Sequence, residues 1–353
     1  MDEGRIAAKL LVGGLPGPEI TAETGRALGE LVPAGLILFS RNIRSAAQVR
    51  ELIAGARETC GDPLLVFLDQ EGGRVNRLGP LHAAFSRLPH AREQAAWGEE
   101  RLEDVWAGIG AALAALGFDV DFAPVVDLDA GEGENAIGPR SFGLDPRQVA
   151  EQAGAVLRGL RRAGVAGCLK HFPGLGTASQ DTHLAPATSP AKPRELWERD
   201  VLPYRELREL APFVMTAHAH YPEVDGREPL PATFSRRLLG EWLRERVGYD
   251  GVVVSDDLEM GAVARLGSPG ELACRTLEAG ADLALFCAGL DGPRRARDEI
   301  ARRLARGSLD PSIVAHSGRR LAAVLAGYTG ARGAPRPADS FQAAAARLDE
   351  LLA

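Results

Sequence analysis

The stretch "LLVFLDQEGGRVNR", residues 64–77, sets two kinds of sequence side by side. Residues 64–68 are five apolar side chains in a row, the pattern of a short strand buried on both faces. Asp69 follows with no spacer, then a glycine pair and two arginines, Arg74 and Arg77. The glycines of "EGG" at 71–73 read as a turn that needs glycine conformations, with Glu71 structural. An apolar strand that ends abruptly on ionisable groups is the unit to look for elsewhere.

It recurs. Apolar runs lie at residues 9–12, 36–39, 64–68, 120–123, 166–170, 213–216, 252–255 and 283–287. Between them stand helix-like stretches rich in Ala, Leu, Arg and Glu, such as 148–163 and 270–279. Strand and helix in alternation imply a parallel sheet. Eight such units in a 353-residue chain predict an α/β protein built as a closed (β/α)₈ barrel of the TIM type. An open doubly wound sheet is the second choice, and no GxGxxG follows a strand to support its nucleotide-binding form. The expected organisation is a single catalytic barrel over residues 1–330. The segment "ARGAPRPADS" at 331–340 then reads as a linker into a last helix over 341–352, so that 331–353 is linker and C-terminal helix.

The ends of the runs are where the chemistry gathers. Asp69 and Arg77 follow the third run, and Arg140 lies in "GPRSFG" beyond the fourth. Lys170 and His171 close the fifth, His218 and His220 follow the sixth, and Asp256 and Asp257 the seventh. In a (β/α)₈ barrel these strand ends share the C-terminal face, where active sites are built. Carboxylates and guanidinium groups make charge-assisted hydrogen bonds to vicinal hydroxyls. A carboxylate kept ionised among cations is available as a nucleophile. The fifth run leads into "KHFPGLGTASQDTHLAP", residues 170–186, which carries Asp181 and His183. There a carboxylate two residues from an imidazole can orient the ring and favour its charged form. The glycines and small residues of 173–179, with only Phe172 and Leu175 as apolar anchors, predict a loosely held loop.

"DQEGGRVNR", "GPRSFG", "KHFPGLG…DTH" and "VVVSDDLEM" stand in this order, and together they resemble the barrel domain of glycoside hydrolase family 3 over residues 10–290. The Asp-x-His loop resembles that of the bacterial β-N-acetylglucosaminidase branch, the enzymes of peptidoglycan recycling. The resemblance implies Asp256 as nucleophile, Asp181 and His183 as the acid/base dyad, and sugar contacts at Asp69, Arg77, Arg140, Lys170 and His171. It implies a retaining β-N-acetylhexosaminidase acting on muropeptide-type or chitooligosaccharide substrates, with no cofactor and no metal. Two positions depart from the family pattern. Leu175 replaces a histidine of the loop, and Pro139 replaces an aspartate that would position Arg140.

Other readings stay open at this point. A β-glucosidase or glycoside phosphorylase of the same family would share the barrel. His218 and His220 have the spacing of metal ligands on one strand face, and with Asp69 and Asp256 they could serve a metal-dependent amide or phosphoester hydrolase. A non-catalytic sugar-binding barrel would need neither Asp256 nor His183. Asp257 reads as a helix N-terminal carboxylate.

Net charge is −7, which gives no electrostatic footprint for nucleic acid. No signal peptide or transmembrane stretch stands out, and the four cysteines lie far apart with no CxxC. A cytoplasmic protein is expected, a monomer or weak dimer whose partner is a small carbohydrate, an amino-sugar glycoside, rather than a membrane or nucleic acid.

Overall fold

The computed structural model describes residues 2–61, 63–129, 137–178, 187–328 and 337–353. Its eight strands are β1 (Leu11–Gly14), β2 (Gly35–Ile37), β3 (Leu65–Leu68), β4 (Val120–Asp121), β5 (Cys168–Phe172), β6 (Phe213–Thr216), β7 (Val252–Asp257) and β8 (Leu283–Phe286). Each overlaps an apolar run of the sequence. They pair in parallel in the order β4-β3-β2-β1-β8-β7-β6-β5. β4 and β5 meet through parallel bridges at Val120–Ala166 and Val125–Lys170, which bring the sheet round on itself as a (β/α)₈ barrel. Gly35 is required on the inner wall, because a Cβ there would lie 2.4 Å from the Phe67 ring.

The barrel interior is packed, not hollow. Val12, Ile37, Phe67, Phe122, Phe213, Met215, Val254 and Leu285 form one buried cluster. The Phe67 ring lies 5.1 Å from Phe122 and 5.8 Å from Phe213, the second edge-on. Val324, from the helix Ser312–Gly327, joins this inner cluster. At the strand starts, buried carboxylates serve the scaffold. Asp282 takes Arg244, Arg320 and the Val253 N–H, and Asp119 takes Arg57 and the Val66 N–H.

Outside the sheet, the expected helices over 148–163 and 270–279 appear as Pro146–Arg162 and Pro269–Ala279. The second opens with a capping box between Ser268 and Glu271. The last helix, Ser340–Leu352, lies on the barrel's own helical layer. Phe341 stacks on Phe85 at 6.1 Å, and Leu348 packs over Gly108. Of the segment read as a linker, 331–336 lie outside the described residues. Among the described residues no helix is long and apolar enough to cross a membrane.

Candidate active site

The strand ends β3, β5 and β7 and the loop holding Arg140 meet at the C-terminal face. Lys170, on β5, is buried although charged, with 2% of its side chain exposed. A buried ammonium must be paired, and Nζ donates to Asp69 Oδ1 and Glu71 Oε1, both at 2.7 Å. Among the described residues two of its three N–H groups are thus used. Glu71 also receives Arg140 as a fork, Nε to Oε2 at 2.8 Å and Nη2 to Oε1 at 2.7 Å. The sequence left Arg140 without a partner. Glu71, 69 residues away, supplies one and joins Arg140 to Lys170.

Burial alone would raise the Glu71 carboxyl, but the Lys170 and Arg140 charges outweigh it and hold it far below the usual range. Burial would likewise lower Lys170 and Arg140, and the carboxylates beside them hold both up. Below them Asp121, fully buried, behaves oppositely. Burial drives its carboxyl well up, and the Gln70 N–H and Lys170 oppose this only in part. Asp121 is thus pushed toward its protonated form, whereas Glu71 beside the two cations is pushed toward its ionised one.

Asp256 lies partly exposed near the end of β7. The Asp257 N–H donates to its Oδ1 at 2.8 Å, and Oδ2 has no donor among the described residues. Burial pushes its carboxyl up, yet His218, His171, this N–H and Lys170 together hold it below the ordinary value. It stays ionised at neutral pH. Asp257 is turned to the backbone, accepting from the N–H groups of Glu259 and Cys287 at 3.0 and 3.1 Å, a structural role.

His171 is oriented by Asp127, which the sequence reading passed over. Nδ1 lies 2.7 Å from Asp127 Oδ2, and the His171 N–H donates to Oδ1 at 3.1 Å. Asp127 follows the same rule as Asp69 and Asp256, an ionisable residue beyond an apolar run. Pro124 interrupts that run and hid the continuation of the strand. Arg77 stands apart from the ion-paired group. Its guanidinium carbon is 5.6 Å above the Phe39 ring, and Nε is buried with no hydrogen-bond partner among the described residues.

His218 uses both ring nitrogens within the protein, Nδ1 with Thr233 Oγ1 at 2.8 Å and Nε2 with the Asp257 carbonyl at 2.9 Å. Burial lowers its pKa, with Asp256 opposing. Neither nitrogen is free for a metal, which removes the first ligand of the His-x-His reading.

Asp181 and His183 lie outside the described residues. The stretch leading to them is held more firmly than expected. The Leu175 N–H donates to Asp127 Oδ1 at 2.7 Å, and Tyr221 Oη donates to the Gly174 carbonyl at 2.6 Å. Thr177 and Ser189 hydroxyls meet at 2.6 Å, which ties the two described flanks together. Gly176 sits so close to the Leu128 carbonyl that a Cβ would be 2.1 Å from it. The anchors that the sequence did not reveal are polar and backbone groups, not apolar side chains. The side chain of Leu175 itself packs on the hydrophobic core.

An ionised carboxylate among ion-paired donors and acceptors at the C-terminal face of a (β/α)₈ scaffold is an arrangement that a glycoside hydrolase requires. Comparison with known sequences is specific: residues 8–324 match the glycosyl hydrolase family 3 N terminal domain, and the chain belongs to that family. A β-hexosaminidase of Pseudomonas aeruginosa (strain LESB58) is 41% identical over 273 residues, 77% of this chain and 80% of that one. A β-hexosaminidase of Xylella fastidiosa (strain 9a5c) is 40% identical over 288 residues, 79% of this chain and 83% of that one. Among solved structures, a family 3 β-N-acetylglucosaminidase from Paenibacillus sp. str. FPU-7 superposes with TM-score 0.89 at 33% identity. That match covers 96% of this chain, which spans only 64% of the Paenibacillus one. A β-N-acetylhexosaminidase from Beutenbergia cavernae DSM 12333 superposes with TM-score 0.79 at 32% identity, over 92% of this chain and 98% of that one.

Proposed function

We propose that the chain is a retaining β-N-acetylhexosaminidase that removes terminal β-linked N-acetylglucosamine from muropeptide-type or chitooligosaccharide substrates. The observation that carries the reading is Asp256, an ionised carboxylate with one oxygen pinned by a backbone N–H and the other without a protein donor among the described residues. In the first half-reaction a carboxylate oxygen of Asp256 bonds to the anomeric carbon as the glycosidic C–O bond breaks. The His183 imidazolium gives its proton to the departing oxygen. In the second half-reaction the neutral imidazole takes a proton from water, whose oxygen bonds to the anomeric carbon and releases the Asp256 carboxylate. Two displacements at one carbon give net retention. Asp181 favours the charged imidazole. Asp69, Arg77, Arg140, Lys170 and His171 hold the sugar, with Glu71 fixing the two central cations. All four cysteines are free thiols, in keeping with a cytoplasmic protein.

A panel of aryl β-glycosides, with and without the 2-acetamido group, tests this reading. The N-acetylglucosaminide should be turned over fastest and release free sugar with retained configuration. Preference for the plain glucoside would move the chain to the β-glucosidases. A sugar phosphate formed in phosphate buffer would make it a phosphorylase.

A further inference from the structure

We infer that Asp127 is a positioning residue that fixes His171 as the Nδ1–H tautomer, so that Nε2 is presented as the acceptor of a substrate hydroxyl. The inference rests on the reading of His171 as a sugar contact and adds the direction of its hydrogen bond. Asp127 is 1% exposed and both its oxygens are occupied. Oδ1 takes the N–H groups of His171 and Leu175 at 3.1 and 2.7 Å, and Oδ2 lies 2.7 Å from His171 Nδ1. Oδ2 can only accept here, so a ring with a single proton carries it on Nδ1, and Nε2 keeps a lone pair.

Asp127 is held by more than these bonds. It lies in the continuation of β4 that runs along β5, where the Val126 N–H donates to the Lys170 carbonyl at 2.9 Å. The Ser141 hydroxyl, next to Arg140, donates to the Asp127 carbonyl at 2.7 Å. One residue thus ties together the Arg140 segment, the His171 ring and the entry to the loop at Leu175. The charged donors of the site are Lys170, Arg140 and Arg77. An imidazole Nε2 acceptor beside Lys170 adds a nitrogen acceptor to the carboxylate oxygens of Asp69 and Asp256.

The test is Asp127→Asn. The asparagine oxygen can still accept the two backbone N–H groups, but its amide now donates to Nδ1 and turns the ring to the Nε2–H tautomer. In ¹⁵N-histidine spectra at pH 8, the wild type should show an unprotonated Nε2 at His171, and D127N an unprotonated Nδ1. This readout needs no substrate, so it stands apart from the proposed activity. An Nε2–H tautomer or a persistent imidazolium in the wild type would overturn the inference, and the wild-type spectrum alone decides this if D127N fails to fold. In kinetics on monodeoxy analogues of the aryl N-acetylglucosaminide, the wild type should lose about 10- to 100-fold in kcat/KM for the analogue lacking the hydroxyl bound to His171. In D127N that particular loss should shrink, because Nε2–H no longer accepts from the hydroxyl, while the losses for other analogues persist. A uniform loss across all analogues would assign Asp127 to the scaffold alone and refute the inference.

Discussion

Asp200 offers the sharpest quantitative test of the interior behind the loop entry. It is 2% exposed, its Oδ1 has no hydrogen-bond partner among the described residues, and a Cβ on Gly174 would lie 2.7 Å from its own. Burial raises its carboxyl to about 7, Arg199 opposing and Asp127 adding to the rise. Against 3.8 for the unfolded group, the difference is about 3 pH units, or about 4 kcal/mol at about 1.4 kcal/mol per unit. Below pH 4 both states hold the proton and nothing is lost. Between pH 4 and 7 the folded chain holds a proton that the unfolded chain has released, so stability falls as pH rises. Above pH 7 the full penalty is in place. Asp200→Asn fills the same space and never ionises. By this arithmetic it should exceed the wild type by about 2 kcal/mol at pH 5 and about 4 kcal/mol at pH 8. Urea unfolding at pH 4, 5, 6, 7 and 8 measures both curves. Parallel curves, or a variant that loses stability at pH 8, would refute the reasoning.

Glu71→Gln removes the anion shared by Lys170 and Arg140 and should cost about 3–5 kcal/mol in urea unfolding at pH 7, with a raised KM. Because the Glu71 carboxyl is depressed in the folded state, its contribution is present above pH 4.5 and lost as pH falls through the depressed value, so the wild type and variant should converge in acid. A loss under about 1 kcal/mol at pH 7 would place the pair among ordinary surface bridges. Gly176→Ala pushes a Cβ into the Leu128 carbonyl and should lower both melting temperature and turnover, whereas Gly261→Ala, which meets open space, should change neither. Equal effects of the two alanines would show that the Gly176 approach is not required.

The strands were readable because both faces of each are buried, which leaves near-continuous apolar runs with no alternation to confuse with a surface strand. The first run was placed two residues early, at 9–12 against Leu11–Gly14, because Lys9 and Leu10 close the turn after the helix Glu3–Ala8. The fourth run lost its end at Pro124, and Asp127 was lost with it. Strand-end carboxylates and cations could be read singly, since each lies beside its own strand. Their pairing could not. Glu71 joins Lys170 and Arg140 from 99 and 69 residues away, and the sequence gives no local sign of either contact. Burial was equally invisible: Asp121, Asp200 and Asp256 are all carboxyls near apolar residues, and only their partners separate two raised groups from one lowered one.

The central claim is that Asp256 forms the covalent intermediate. A slow fluorinated N-acetylglucosamine donor with a good leaving group should accumulate the glycosyl-enzyme, and digestion with mass spectrometry should then place the sugar on the peptide containing Asp256 and fragment it to that residue. Asp256→Asn should accumulate no label. Label on another residue, or an inverted anomer as the first product of the wild type, would contradict the account.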